Sequence, residues 1–398
     1  MKLGMKFCGV LFPDPFTLAA SPSTGTGEMV ERAFDAGWTS AVLKTMAVER
    51  EEVRLVYPMI AGLSHQDKRM IGMENIDLIS DRGLKEWEAD IVRLKKRHPE
   101  CVVIASIMAS SKEDWQEAAR RVSGAGVDMI ECSFSCPHGM PERGMGSAIG
   151  QDTELTERTA AWVKQAASVP VVIKLTPNVT DIARIAKAVK QSGCDGVCAI
   201  NTVKALIGID VETMRPIPEV AGLSTYGGYS GAAIKPIALR CVAEIAKAVD
   251  IEISGVGGVS SWTDGVEFLL AGARNVQVCT AVMMWGYRIV EDLKEGLGFY
   301  LERKGLTSPA DLVGKALPFI TKHESLSREC KPVARIDESV CLKDDLCFIA
   351  CRDGGHQAIE IGEGRLPKVD KEKCVGCGLC VSVCPVENCI RLEERKDR

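Results

Sequence analysis

The sequence has few aromatic residues, 5% of the chain, and no block or stripe of lysine and arginine, and its net charge is −5. Without a basic surface, binding to nucleic acid or to an anionic membrane is disfavoured. No apolar run is long enough to span a bilayer. The N-terminus, MKLGMKFCGVLFPDPF, lacks the long apolar segment of a signal peptide, so a cytoplasmic protein is expected. No apolar, strand-like run is followed by G-x-G-x-x-G, and the GVGG at 255–258 is too short and too late in the chain. A Rossmann dinucleotide site is therefore not expected. What remains is a 398-residue chain, 46% hydrophobic, with room for two domains or for one large barrel plus an appendage.

Apolar β-type runs recur at 39–44, 101–107, 127–130, 171–174, 196–200, 251–253 and 276–278. Helical periodicity intervenes near 112–124, 153–167, 180–192, 232–249 and 262–271. Strands apolar at nearly every position are buried on both faces, as in parallel sheets. Repeating βα units over about 250 to 300 residues point to an α/β fold, a (β/α)8 TIM barrel, with an open doubly wound sheet as the alternative. The expected division is a barrel over 1–305, a connector over 306–335 that contains Pro309, Pro318 and Pro332, and a small α+β domain over 336–398.

In such a barrel the chemistry sits at the C-terminal ends of the strands. The polar and glycine residues there are Lys44 and Thr45; Ser133, Ser135 and Cys136; Lys174 and Thr176; Asn201 and Thr202; Gly257 and Gly258; and Thr280. Any one of them could be a solvated or capping residue, but so long a series favours a shared site. The stretch 131–150, ECSFSCPHGMPERGMGSAIG, brings Ser133, Ser135, Cys136 and His138 together ahead of a Gly-rich segment. That pattern suits a catalytic loop near 133–150 that moves over a substrate. Two further Gly-rich stretches, at 227–231 and 255–258, each precede a helical segment. Backbone N–H groups at such turns cradle phosphate, which points to a phosphorylated cofactor.

Seventeen cysteines are present, eight of them between Cys341 and Cys389. Cys101, Cys194, Cys198, Cys241 and Cys279 sit in apolar runs and read as small buried hydrophobes in a reducing compartment. In the tail, Cys374, Cys377, Cys380 and Cys384 follow C-x2-C-x2-C-x3-C-P, the bacterial ferredoxin run. A zinc ribbon would use two separated C-x2-C pairs and would not need the fourth cysteine. Upstream, Cys341, Cys347 and Cys351 match the same run if Asp344 stands in the place of the second cysteine. In two-cluster ferredoxins the fourth cysteine of each run ligates the other cluster. Cys351, Cys374, Cys377 and Cys380 then hold one 4Fe–4S cluster. Cys341, Cys347 and Cys384 hold the other, with Asp344, a water or nothing at the fourth iron. A carboxylate is a harder ligand than a thiolate, so that cluster is 4Fe–4S or 3Fe–4S. Asp345 is a substitute ligand one residue out of register. Cys389 is left over and reads as structural, and Cys330 is unassigned. Iron–sulfur clusters pass single electrons, and a barrel doing two-electron chemistry with them needs a flavin; FMN carries the phosphate that the Gly-rich loops suit.

The stretches SCPHGMPERGMG, KLTPNVTDI at 174–182, NTV at 201–203, TYGGYSGAAIKPIALR at 225–240 and the terminal cysteine runs together resemble the dihydropyrimidine dehydrogenase family, over nearly the whole chain. The dihydroorotate dehydrogenases share the barrel but lack this tail. The resemblance implies reduction of the 5,6 double bond of uracil or thymine, in pyrimidine catabolism. It implies FMN in the barrel, two clusters in the tail, and electrons from an FAD- and NAD(P)H-binding flavoprotein partner or another low-potential donor. An oligomer is expected. By motif, Cys136 is the general acid. Ala20, Ser21, Lys44, Thr45, Lys174, Asn201, Gly231, Gly257, Gly258 and Thr280 match flavin contacts. Asn75, Ser133, Ser135, His138, Asn201 and Thr202 match the groups that read a small cyclic amide. The family has an asparagine where this chain has Ser133, so a related unsaturated ring or lactam is the alternative substrate. A second alternative is a ferredoxin-like electron carrier whose barrel is only a scaffold; it has no use for Cys136, Lys174 and the two asparagines.

Overall fold

Strands apolar on both faces need cover on both sides, and here they obtain it by closing on themselves. The computed structural model describes residues 3–48, 53–64, 70–135 and 146–395. Eight parallel strands form a closed barrel in chain order: β1 Phe16–Leu18, β2 Ser40–Val42, β3 Val102–Ile107, β4 Met129–Ser133, β5 Val171–Leu175, β6 Gly196–Ala199, β7 Glu252–Val256 and β8 Asn275–Val278. β8 pairs back onto β1. β1 is absent from the series of apolar runs read from sequence. It is only three residues long and follows Pro15, so it offers almost no periodic signal, yet the barrel cannot close without it.

Eight helices follow the strands: α1 Gly27–Asp35, α2 Leu84–Arg97, α3 Lys112–Ala125, α4 Thr153–Ala166, α5 Ile182–Gln191, α6 Lys235–Ala248, α7 Trp262–Leu270 and α8 Ile289–Arg303. Local chemistry starts several of them. Thr26, Ser111, Asp152, Asp181 and Ser261 each accept a hydrogen bond from a first-turn N–H of the following helix, and each such cap contributes about 1 kcal/mol. Their apolar stripes cover the outside of the barrel, where Trp38, Trp87 and Trp115 are fully buried.

The inside has its own packing. A hairpin of Met5–Phe7 and Val10–Phe12 inserts Phe7 and Phe12 among Val42, Val102, Ile104, Met129, Val172, Cys198 and Val256. Burying each phenylalanine contributes about 2–3 kcal/mol. Polar interior residues are paired. Asn275 donates to Thr17 Oγ1 at 2.8 Å and accepts from Ser254 Oγ at 2.7 Å, and Thr17 bonds Ser40 at 2.7 Å. An antiparallel sheet not expected from sequence, Val203–Ala205, Gly227–Ser230, Met70–Asn75 and Ile60–Ser64 in that order, is built from segments that follow β2 and β6.

The chain divides into two compact units, Met1–Phe319 and Ile320–Arg398. The break falls within the expected connector: Pro309–Leu312 and Leu317–Phe319 belong with the barrel, and Pro332–Ile336 belongs with the tail. In the tail unit Pro332–Ile336 pairs antiparallel with Ile390–Glu394, and Ile359–Ile361 with Pro367–Val369. Two short helices, Leu346–Gly354 and Leu379–Val383, complete it. Among the described residues no helix is long and apolar enough to cross a membrane.

Candidate functional site

Every second residue of a barrel strand faces the axis. In β4 these are Met129, Glu131 and Ser133, and in β5 Val172 and Lys174. The registers place Ser133 beside Lys174 and Gln277 beside Thr17. One step nearer the C-terminal ends than the apolar plug, three polar side chains meet. Lys174 Nζ lies 3.2 Å from Glu131 Oε1 and donates to Gln277 Oε1 at 3.4 Å, and Gln277 Nε2 donates to Glu131 Oε2 at 2.7 Å. All three are buried. Burial acts to lower the Lys174 pKa, but the Glu131 carboxylate outweighs it and the net direction is upward, so the ammonium keeps its proton. The barrel thus holds a fixed positive charge at the base of its mouth.

Above this charge is a cavity. Lys44, Thr45, Lys174 and Asn201 line it, as do Ala20, Ser21 and Thr280. Gly231, Gly257 and Gly258 form one wall. All three have positive φ, +101°, +136° and +79°, and a Cβ at Gly258 would sit 2.8 Å from the Gly231 carbonyl and 2.9 Å from the Lys235 amide nitrogen. Only glycine allows the two loops to approach so closely. Lys235 Nζ lies 2.6 Å from Asp264 Oδ1, and Asp264 Oδ2 accepts from the Ser260 and Ser261 N–H groups at 2.9 Å each. This ties the loop after β7 to the start of α6.

Asn75 and Thr202 also line the cavity. Asn75 Nδ2 donates to the Gly228 carbonyl at 3.1 Å, within the antiparallel sheet. Asn201 Nδ2 donates to Ser135 Oγ at 2.8 Å, and its Oδ1 accepts from the Thr202 N–H at 2.7 Å. Ser135 is fully buried and is not part of the cavity wall, so it orients the Asn201 amide rather than facing the cavity. Ser133 is likewise outside the wall. It is the last residue of β4, not the first of a loop, because strand pairing with β5 continues through it. Cys136 and His138 lie outside the described residues.

Several site residues were not singled out from the sequence. Glu131 and Gln277 complete the buried network, Asp77 pairs with Lys44, and Cys279, read as a buried hydrophobe, also borders the cavity. A signal for the first two existed: each is a large polar residue within a mostly apolar run, and a buried polar group needs a partner. Burial raises the Cys279 pKa, so its thiol stays neutral.

In the tail unit, Cys351, Cys374, Cys377 and Cys380 surround a second, apolar cavity. The Ala358 N–H donates to Cys351 Sγ at 3.3 Å and the Ala334 N–H to Cys374 Sγ at 3.5 Å. Among the described residues no three metal-ligating side chains close on a single ion. Four thiols around a space, with N–H groups already directed at two sulfurs, fit a cubane cluster. The other set is unequal. Cys347 is buried and Cys341 and Cys384 are half-buried, but Asp344 is exposed and its Oδ1 accepts from the Leu346 N–H at 3.1 Å. Asp345 pairs with Arg365. In the barrel, a fixed cation, two glycine loops without side chains and flanking amides fit a phosphorylated flavin in the same way.

The dihydroorotate dehydrogenase family profile matches residues 2–301, and the 4Fe-4S dicluster domain profile matches residues 334–392. The chain is 44% identical over 400 residues to the NAD-dependent dihydropyrimidine dehydrogenase subunit PreA of Escherichia coli (strain K12), covering 99% of this chain and 96% of that one. It is 41% identical over 335 residues to the chloroplastic dihydropyrimidine dehydrogenase (NADP(+)) of Arabidopsis thaliana, covering 81% and 79%. It is 36% identical over 318 residues to the catalytic subunit of dihydroorotate dehydrogenase B (NAD(+)) of Pyrococcus furiosus, covering 79% and 99%.

Proposed function

The chain belongs to the dihydropyrimidine dehydrogenase family of oxidoreductases, and from that premise we propose that it reduces the 5,6 double bond of uracil or thymine. The electrons come through two iron–sulfur clusters from an NAD(P)H-oxidising flavoprotein partner. The observation that carries this reading is the convergence on one cavity of Lys44, Asn75, Lys174 and Asn201 with the glycines of two separate loops.

FMN, when bound, pairs electrons that arrive singly and supplies hydride to C6 of the ring. The protein's own groups do the rest. Lys174, kept charged by Glu131, stabilises negative charge at the base of the mouth; a fixed charge in a buried site acts more strongly than one in water. Gly231, Gly257 and Gly258 leave the backbone open to the phosphate. Asn75 and Asn201 offer both a donor and an acceptor to a lactam edge, and Thr202 adds a hydroxyl. Ser135 positions the Asn201 amide, so it acts on substrate through its neighbour. Cys136, by the family motif, donates the proton to C5; an ordinary thiol, with a pKa of about 8.5, is protonated at neutral pH and is able to give it up. Ser133 lies outside the cavity wall, where the family's longer amide would reach the substrate, and this supports a second reading of the substrate. A hydroxyl in place of the family's amide favours a related unsaturated ring or lactam, because a lost site hydrogen bond changes discrimination by orders of magnitude.

Anaerobic turnover with an artificial reductant, across uracil, thymine and other unsaturated cyclic amides, tests both readings. Cys136→Ala is expected to retain flavin and to lose about 10²–10⁴-fold in turnover. Wild-type turnover in that variant would overturn the assignment of the acid, and a preference for a non-pyrimidine lactam would select the second substrate.

A further inference from the structure

The two cluster sites of the tail unit are not equivalent, and the inequality identifies a ligand that the cysteine runs conceal. One site has four thiols from the motif positions. The other has three, Cys341, Cys347 and Cys384, and its fourth motif position is Asp344. That side chain is exposed, and one of its oxygens caps the Leu346 N–H. A carboxylate is also a poor match for iron held in sulfide.

Every corner of a cubane adjoins the other three. The fourth ligand must therefore come from a residue next to the other three thiols, wherever it lies in the chain. Cys389 meets that condition. It is 2% exposed and lies in the tail's buried cluster with Cys347, Cys351 and Cys380, against which the half-buried Cys341 and Cys384 also pack. Its Sγ donates to the Asp337 carbonyl at 3.7 Å, in the segment that leads into Cys341. The backbone holds it there: Ile390 pairs with Ile336, and the Asp337 N–H donates to the Cys389 carbonyl at 2.7 Å. This brings the segment leading into Cys341 against the segment leading out of Cys384. A buried, soft thiol held in the same packed cluster as Cys347 is better placed than an exposed carboxylate.

We propose that Cys389 is the fourth protein ligand of the second cluster, replacing the missing cysteine at position 344. Its thiol releases its proton on binding iron, as ligating cysteines do. The proposal rests on the two-cluster reading of the tail.

The test uses the full chain purified anaerobically, with iron and acid-labile sulfide counted and EPR spectra recorded oxidised and reduced. The wild type is expected to hold about eight irons in two 4Fe–4S clusters. Cys389→Ala is expected to fall to about seven, with a 3Fe–4S signal on oxidation. The unchanged signal of the cluster at Cys351, Cys374, Cys377 and Cys380 reports that the unit has folded. Cys389→Ser is expected to keep the iron but shift the spectrum, because an alkoxide replaces the thiolate. Asp344→Ala and Asp345→Asn are expected to leave both clusters intact. An unchanged iron count and spectrum in Cys389→Ala, or loss of one iron in Asp344→Ala or Asp345→Asn instead, overturns the proposal. So does a wild type that already carries a 3Fe–4S cluster. A wild type with only about four irons overturns the two-cluster reading itself, and is seen before any substitution is made.

Discussion

In the barrel unit, the groups around the cavity come from all along the chain, from Ala19 to Trp285. In the tail unit, the thiols come from two short runs, and three of the four around the apolar cavity lie between Cys374 and Cys380. The barrel relies on a buried charge network, in which Lys174, Glu131 and Gln277 satisfy one another. The tail relies on thiols that accept backbone N–H groups. The difference teaches where damage should spread. A change in the barrel's network disturbs packing and flavin together, whereas a change to a thiol removes a cluster and leaves the barrel's chemistry intact.

The largest test of that separation is Cys377→Ala. It is expected to lose at least one iron from its cluster and to abolish turnover driven through the partner. Turnover with a small reductant that reaches the flavin directly should be unchanged. An equal loss with both reductants would break the distinction. Next in size is Lys174→Met, which leaves Glu131 buried without its cation. The expected cost is about 3–5 kcal/mol in chemical denaturation, with loss of flavin and retention of both clusters. Adding Glu131→Gln should recover part of that stability; no recovery would mean that the pair is not what holds the network. Gly258→Ala should follow. Its Cβ would meet the Gly231 carbonyl at 2.8 Å in a positive-φ position, and such strain costs about 1–3 kcal/mol. Flavin content after gel filtration should fall while the iron count stays constant.

The smallest expected effect is at Asp264. Burial acts to raise its pKa, but the Lys235 ammonium, the Ser260 N–H and the Ser261 and Ser260 hydroxyls outweigh it, so the carboxyl titrates below its ordinary range. A depressed carboxylate adds stability above its unfolded pKa of about 3.9, and that stability is lost as pH falls through the folded value. Asp264→Asn should therefore cost about 1 kcal/mol at neutral pH, the scale of a helix cap. The difference from wild type should shrink in acid below about pH 4. A difference that stays constant with pH would place the effect in packing rather than in charge.

The site's legibility in the sequence follows the same division. Lys44, Lys174, Asn201 and the paired glycines were readable because polar residues and glycines at the ends of apolar runs stand out. Ser135 was readable as a site residue but not in its part: only the bond to Asn201 Nδ2 shows that it faces an amide instead of the cavity. The antiparallel sheet that brings in Asn75 has short, irregular strands, and nothing in their periodicity separates them from loop.

By itself the sequence determined the ferredoxin-type runs, since three of the ligands to each cluster lie a few residues apart within one run and their spacing survives as a pattern of letters. It also limited the fold to a parallel α/β sheet, a barrel or a doubly wound sheet, because strands buried on both faces must be apolar throughout. Only the tertiary structure decided which polar residues share the barrel's interior: Glu131 and Lys174 lie on adjacent strands, but Gln277 meets them across the interior only when β8 closes back on β1. Only the tertiary structure, too, sets Cys389 against Asp337 in the segment leading into Cys341, because the pairing of the first and last strands of the tail joins segments that the spacing of the cysteines treats as unrelated.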